Sequence, residues 1–314
     1  MRFTVDPWDP AYGASVETEL VQSPVEPDVE VEVEAARWAP RRPDASTAHP
    51  GAIVFVDGVR RVEARTWVEY PQGAVPGFFA SFAAGAVRCD GRAQLADALV
   101  ARGLFAPGTP DDVSTRHGSF VAYPATDATP KALMKELLGA MSELEVQAAE
   151  RARRAGDELL VLDGPLRNRR HVPDAVGLVK THETKYLPPA LDRVVGDLGA
   201  GERTPVFRVD AQPFSRHSWY LRLPGPPGGP WAGIVRCEAT GALAAEAVIA
   251  LADRVTVALP PFASEPHKDA RAPQNLYPIA GLERELRRRL GDAHVMYRAL
   301  LRAATEPERL VSSP

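Results

Sequence analysis

A chain of 314 residues, 45% hydrophobic and 25% charged, has the composition of a globular protein with a sizeable core, which excludes a disordered or fibrous one. Its formal net charge of −4 excludes a global basic field for nucleic acid, so any such surface must come from local clusters of arginine. Cys89 and Cys237 are too few for a disulfide framework, no apolar stretch approaches the ~20 residues that span a bilayer, and a cytoplasmic protein without membrane contact is expected.

Residues 1–48 are rich in Pro, Glu and Asp, and the Val/Glu alternation at 25–33 reads equally as an edge strand or an extended N-terminal arm. From Gly51 the pattern turns to strands with tight connections, at 53–56, 62–70 and 78–87. Such connections predict an antiparallel meander, because a parallel return needs a dozen residues or more. Residues 92–102 carry a helical spacing, and with the Gly/Pro/Asp-rich stretch after them they read as an insertion over about 90–128. Thr129-Pro130 supplies a helix cap and first turn. Leu133, Leu137, Met141, Leu144 and Ala148 then set one apolar stripe on a helix ending near Gly156.

A buried strand at 159–162 and another at 176–179 follow. Strands are predicted at 206–209, 219–223 and 233–238, and helices over 242–259 and 282–303, joined by a polar loop with His267, Lys268, Asp269, Arg271 and Asn275. The expected organisation is an arm over 1–48, one domain over 49–305 and a flexible tail over 306–314. Meander, helix, then strand is the order of a crossover to a parallel neighbour of the first strand, within an α/β mixed sheet flanked by helices.

Two of these strands end alike. Ile53-Val54-Phe55-Val56 runs into Asp57-Gly58, and Leu159-Leu160-Val161-Leu162 into Asp163-Gly164. Asp-Gly after a strand is commonly a turn, but two such ends on neighbouring strands bring two carboxylates together. A third ligand for a divalent cation is available on the helix, where Glu143 and Glu145 flank the apolar stripe from either side. Clustered carboxylates repel one another unless a cation neutralises them, and an all-oxygen set suits Mg²⁺ or Mn²⁺. Phosphodiester hydrolysis is the chemistry such a set supports.

The segments AIVFVDGVRR, ELEVQAAERA, ELLVLDGPL and VGLVKTHETKYLPP resemble the NurA nuclease family over about residues 50–300. The resemblance implies a ribonuclease H-like fold and a metal-dependent DNA nuclease. Asp57, Glu145 and Asp163 would be the metal-binding carboxylates, with Lys180 and Tyr277 on the active-site side. It also implies Mn²⁺ or Mg²⁺ as cofactor, DNA as substrate, a homodimer, and a HerA-like hexameric ATPase partner. The sequence carries no phosphate-binding Gly-Lys-Ser/Thr loop of its own. Two departures from the family pattern are visible: Val59 follows Asp57-Gly58, and Ala293-His294 lies farther from Tyr277-Pro278 than the two turns the pattern has.

Arg60, Arg61, Arg167, Arg169, Arg170, Lys268 and Arg271 are the candidates for holding a DNA backbone, since guanidinium groups bind phosphate without reading bases. Arg284 to Arg289 reads as a solvated helix face, and Trp219 and Tyr220 as core. His182 and His217 lack partners at metal-ligand spacing. The alternative function is a catalytically silent scaffold that binds a partner through the acidic arm.

Overall fold

The computed structural model describes residues 16–212 and 214–305, so the expected tail and the first residues of the expected arm lie outside the described residues. Ten strands form one mixed sheet in the order β10 (Phe207–Ala211), β11 (Phe214–Arg222), β12 (Ile234–Thr240), β8 (Ala175–Val179), β7 (Glu158–Asp163), β2 (Ala52–Tyr70), β3 (Gly73–Cys89), β4 (Ala93–Pro107), β6 (Gly118–Ala125) and β5 (Val113–Thr115). A separate parallel pair joins β1 (Val16–Gln22) to β9 (His182–Lys185). The helices are α1 (Pro130–Ala152), α2 (Pro189–Asp197), α3 (Ala245–Ala258), α4 (Tyr277–Arg289) and α5 (Ala293–Thr305). No helix among the described residues is long and apolar enough to cross a membrane.

The connections at 71–72 and 90–92 are too short for anything but antiparallel neighbours, so β2, β3 and β4 form the meander. After α1, β7 runs parallel to β2, from Ala52 opposite Glu158 to Val56 opposite Leu162. Then β8 runs parallel to β7, and β12, β11 and β10 continue antiparallel. This is the expected α/β class: an antiparallel meander plus parallel strands, flanked by helices.

Three expectations are corrected. The strands read at 53–56 and 62–70 are one continuous β2, because nothing in 57–61 breaks the ladder. Residues 92–102, read as helical, belong to β4; their Ala and Leu residues favour helix locally, but the hairpin with β3 overrides a propensity of a few tenths of a kcal/mol per residue. The single helix read at 282–303 is two, α4 and α5, and α4 begins earlier, at Tyr277. The stretch read as an insertion over 90–128 supplies β4, β5 and β6 to the sheet.

The chain divides into two compact units. One comprises the described residues up to Val56 with Val87–Gln94 and Ala152–Gly281. On one face of its strands, Ile53, Phe55, Leu159, Val161 and Trp219 pack under Val248, Ala252 and Val255, the apolar stripe of α3. On the other, Phe207 and Tyr220 pack with Trp38 and with Val194 and Val195 of α2. The Val/Glu alternation forms no regular strand; Asp28 makes one bridge to Arg208, and Val25, Val29 and Val33 lie against this second core. Glu32 is clamped by Arg203 Nη1 at 2.7 Å, and Arg203 also reaches Asp253 at 2.6 Å.

The other unit comprises Asp57–Ala86, Leu95–Arg151 and the described residues from Leu282 on. Phe78, Phe82 and Phe105 pack under Leu133 and Leu137 of α1, whose N-terminus is capped by Thr129 Oγ1 accepting from Ala132 N–H at 3.2 Å. Phe120 packs with Met296 and Leu300 of α5. Cys89 and Cys237 are free thiols.

Candidate metal-binding carboxylates

The parallel register brings Val56 opposite Leu162, and each strand then delivers an aspartate as its next residue. Side chains alternate along a strand. Because Ile53, Phe55, Leu159 and Val161 all enter one core, Asp57 and Asp163 follow on that same face. Asp57 is buried, and its Oδ1 accepts from the Gly58 N–H at 2.7 Å. Gly58 has a steric reason: a Cβ there would stand 2.6 Å from Glu145 Oε1 and 3.0 Å from Met141 Cγ, so only glycine lets α1 approach β2 this closely.

Asp163 is held by a chain of polar contacts. Its Oδ2 lies 2.6 Å from Lys180 Nζ, with the two side chains 12% and 8% exposed. Lys180 also donates to Asn275 Oδ1 at 2.8 Å, and Asn275 Nδ2 donates to Asp269 Oδ2 at 2.9 Å. The loop before α4 folds Asn275 inside, completely buried, to fix the ammonium of the buried Lys180. Asp163 Oδ1 is buried and has no hydrogen-bond partner among the described residues, which leaves an acceptor of the kind a cation takes up.

Asp57 and Glu283, in one unit, are buried, and Asp163, in the other, is largely out of solvent. Carboxylates with this little solvent are costly unless a cation neutralises them, and an all-oxygen set suits a divalent one. Glu283, on α4, was missed by sequence reasoning, which took this helix for a solvated face. His294 is exposed.

Of the two glutamates left open on α1, Glu145 is buried and Glu143 exposed. Tyr277 is half-buried; its hydroxyl donates to Glu265 Oε2 at 2.9 Å, and Lys268 lies 5.2 Å from its ring centroid while pairing with Glu265 at 2.7 Å. Arg169 is buried and donates to the carbonyls of Asp163 and Pro165, both at 2.7 Å. It braces the Asp163 turn from beneath. Arg61 is engaged with Glu63 at 2.8 Å and with the Gly291 carbonyl at 2.8 Å. Arg60, Arg167, Arg170 and Lys268 are exposed, and Arg271 is half-buried.

His182 is buried and its Nε2 faces the Ile234 carbonyl at 3.1 Å. Burial pushes this imidazole down to about 4, so it is neutral at ordinary pH, and its ring also lies beside Tyr220 and Trp231.

No protein-family model matches the chain, and no curated protein matches it. Among solved structures, one with a similar arrangement is the NurA nuclease from Sulfolobus solfataricus, with a TM-score of 0.48 and 12% identity over 86% of this chain and 88% of that one.

Proposed function

We propose that this chain is a divalent-metal-dependent deoxyribonuclease, with Asp57, Glu145 and Asp163 as metal-binding carboxylates and Glu283 joining them. The observation that carries this reading is the parallel register of β2 and β7, in which Val56 stands opposite Leu162 and each strand has an aspartate, Asp57 or Asp163, as its next residue. The donor set fits the ion: all ligands are oxygens, and Asp163 Oδ1 is a buried acceptor with no hydrogen-bond partner among the described residues. Mn²⁺ or Mg²⁺, when bound, would activate water and stabilise the departing oxygen of a phosphodiester.

The chain's own groups prepare that chemistry. Lys180 fixes one oxygen of Asp163 and leaves the other a buried acceptor with no hydrogen-bond partner among the described residues. Asn275 and Asp269 keep the ammonium in place, so the carboxylate does not swing away. Tyr277 is assigned to the same active site. Exposed Arg60, Arg167, Arg170 and Lys268, with Arg271, would contact DNA phosphates without reading bases. In this reading the protein works as a homodimer with a HerA-like hexameric ATPase that moves DNA, in end processing, repair or defence.

The test is titration calorimetry with Mn²⁺ combined with cleavage of single- and double-stranded DNA. Wild type should take up Mn²⁺ and cut, while Asp57→Ala and Asp163→Asn should stay folded and do neither. Undiminished cutting by both variants would sink the proposal. Absence of Mn²⁺ uptake by the wild type would favour a catalytically silent scaffold.

A further inference from the structure

On β11 and β12 the sheet carries a second cluster of charge out of solvent. Glu238 and Arg236 are both buried, and Arg236 Nη1 donates to Glu238 Oε2 at 2.7 Å. Because Cys237 between them lies in the core with Phe55 and Trp219, alternation places Arg236 and Glu238 on the opposite face of the sheet. The pairing of Ser218 with Glu238 brings Arg216, two residues along, onto that face beside them. Arg216 and Arg236 lie 5.1 and 4.8 Å from the Tyr186 ring centroid. Gly177 makes room for this cluster, since a Cβ there would stand 3.0 Å from Glu238 Cγ.

These side chains line a groove of about 580 Å³, with Arg167 and Glu183 also on its wall. Small-molecule sites typically enclose ~300–1,000 Å³. The charges do not balance. The exposed Arg167 and Glu183 offset each other, but inside the groove two guanidinium groups face one carboxylate. Arg216 Nε lies 3.3 Å from Glu238 Oε2 without pointing at it, and this buried N–H has no hydrogen-bond partner among the described residues. A largely desolvated cation in excess, with a buried spare donor, is costly unless an anion completes it. Two guanidinium groups on one face match a tetrahedral oxyanion.

We propose that this groove binds one phosphate group, of a nucleotide or of a nucleic-acid strand, through Arg216 and Arg236. The site also bears on the carboxylate end of the sheet. Glu238 Oε1 accepts from the Leu166 N–H at 2.5 Å, and Leu166 lies three residues beyond Asp163 on the same turn. A phosphate that draws the guanidinium groups toward itself changes the hold of Glu238 on that turn.

The test is run on the full chain in EDTA, so its outcome is independent of the metal centre, and read as the thermal unfolding midpoint at fixed ionic strength. The probes are deoxyadenosine 5′-monophosphate, a thymidine oligonucleotide without terminal phosphate, and deoxyadenosine as the control without phosphate. Expected is a rise of the midpoint with one or both phosphate probes and none with deoxyadenosine. A response to the mononucleotide alone identifies a terminal phosphate as the ligand; a response to the oligonucleotide identifies a backbone phosphodiester. Arg216→Gln, at a partly exposed position, should fold and bind roughly tenfold more weakly, as expected for one lost charge-assisted contact, and Arg216→Lys should regain part of the affinity. An unchanged midpoint with both phosphate probes, or an Arg216→Gln variant that responds like wild type, overturns the proposal.

Discussion

Lys180 Nζ stands 2.6 Å from Asp163 Oδ2, with both side chains largely out of solvent. Removing one partner of a buried pair leaves the other uncompensated, at a typical cost of 3–5 kcal/mol. Lys180→Met is therefore expected to destabilise the metal-free protein by roughly 3 kcal/mol, measured by denaturant unfolding in EDTA. Saturating Mn²⁺ should restore more stability to this variant than to wild type, because the ion replaces the missing charge. Equal stabilisation of both proteins would separate Lys180 from the metal centre.

Glu143 and Glu145 are two residues apart on α1 with opposite environments, one exposed and one buried against Gly58. Glu145→Gln should lose at least 100-fold in cleavage rate, on the order of 3 kcal/mol of barrier, while Glu143→Gln should cut like wild type. Glu283→Gln should weaken Mn²⁺ uptake in calorimetry. A Glu283→Gln variant with wild-type Mn²⁺ affinity would remove that residue from the ligand set.

Arg203 joins Glu32, in the segment before β2, to Asp253 on α3. Burial by itself would raise the Glu32 carboxyl, yet the Arg203 guanidinium holds it below the ordinary carboxylate range. Arg203→Ala leaves Asp253 without this partner and Glu32 with only Arg41 and the Val206 N–H, and should cost about 3 kcal/mol, read by urea denaturation. Loss of less than about 1 kcal/mol, the range of an exposed pair, would mean that the segment around Glu32 is not anchored through this residue.

The His182 imidazole, buried against the Ile234 carbonyl, is pushed down to about 4 from an ordinary 6.5. Above pH 6.5 neither the folded nor the unfolded chain protonates it. As pH falls from 6.5 toward 4 the unfolded chain binds the proton and the folded one does not, so stability declines across that window by about 3 kcal/mol and then levels off. The buried His217, also lowered by burial, acts with the same sign. The Glu32 contribution is present above about 4.5 and lost only below it. Unfolding free energies at pH 7 and pH 4.5 should therefore differ less in His182→Gln than in wild type. An identical slope in the two proteins would refute this assignment.

Local features were legible along the chain. The β-branched and aromatic run before Asp163-Gly164 and the 3.6-residue apolar stripe opened by Thr129-Pro130 are written in adjacent residues, and each became the element expected, whereas the run before Asp57-Gly58 is strand but continues to Tyr70. The parallel pairing of β2 and β7 followed from connection lengths, which are also local information. The helix read at 92–102 went wrong because composition there favours helix, while pairing with β3 is a property of residues distant along the chain.

The tertiary structure alone decided which polar groups meet. Glu283 is buried on a helix that looks like a solvated surface in sequence. Arg169 and Arg61, which resemble phosphate-binding arginines in a string of residues, are occupied with internal carbonyls and Glu63. Arg216, Arg236 and Glu238 assemble from two strands whose register no local pattern specifies. Strand ends and helix faces arise from short-range periodicity, whereas the charge neighbours of a buried group depend on strand order and side-chain packing between segments tens to hundreds of residues apart. So the sequence by itself determined where Asp57 and Asp163 would be presented, and only the folded sheet decided what stands around them.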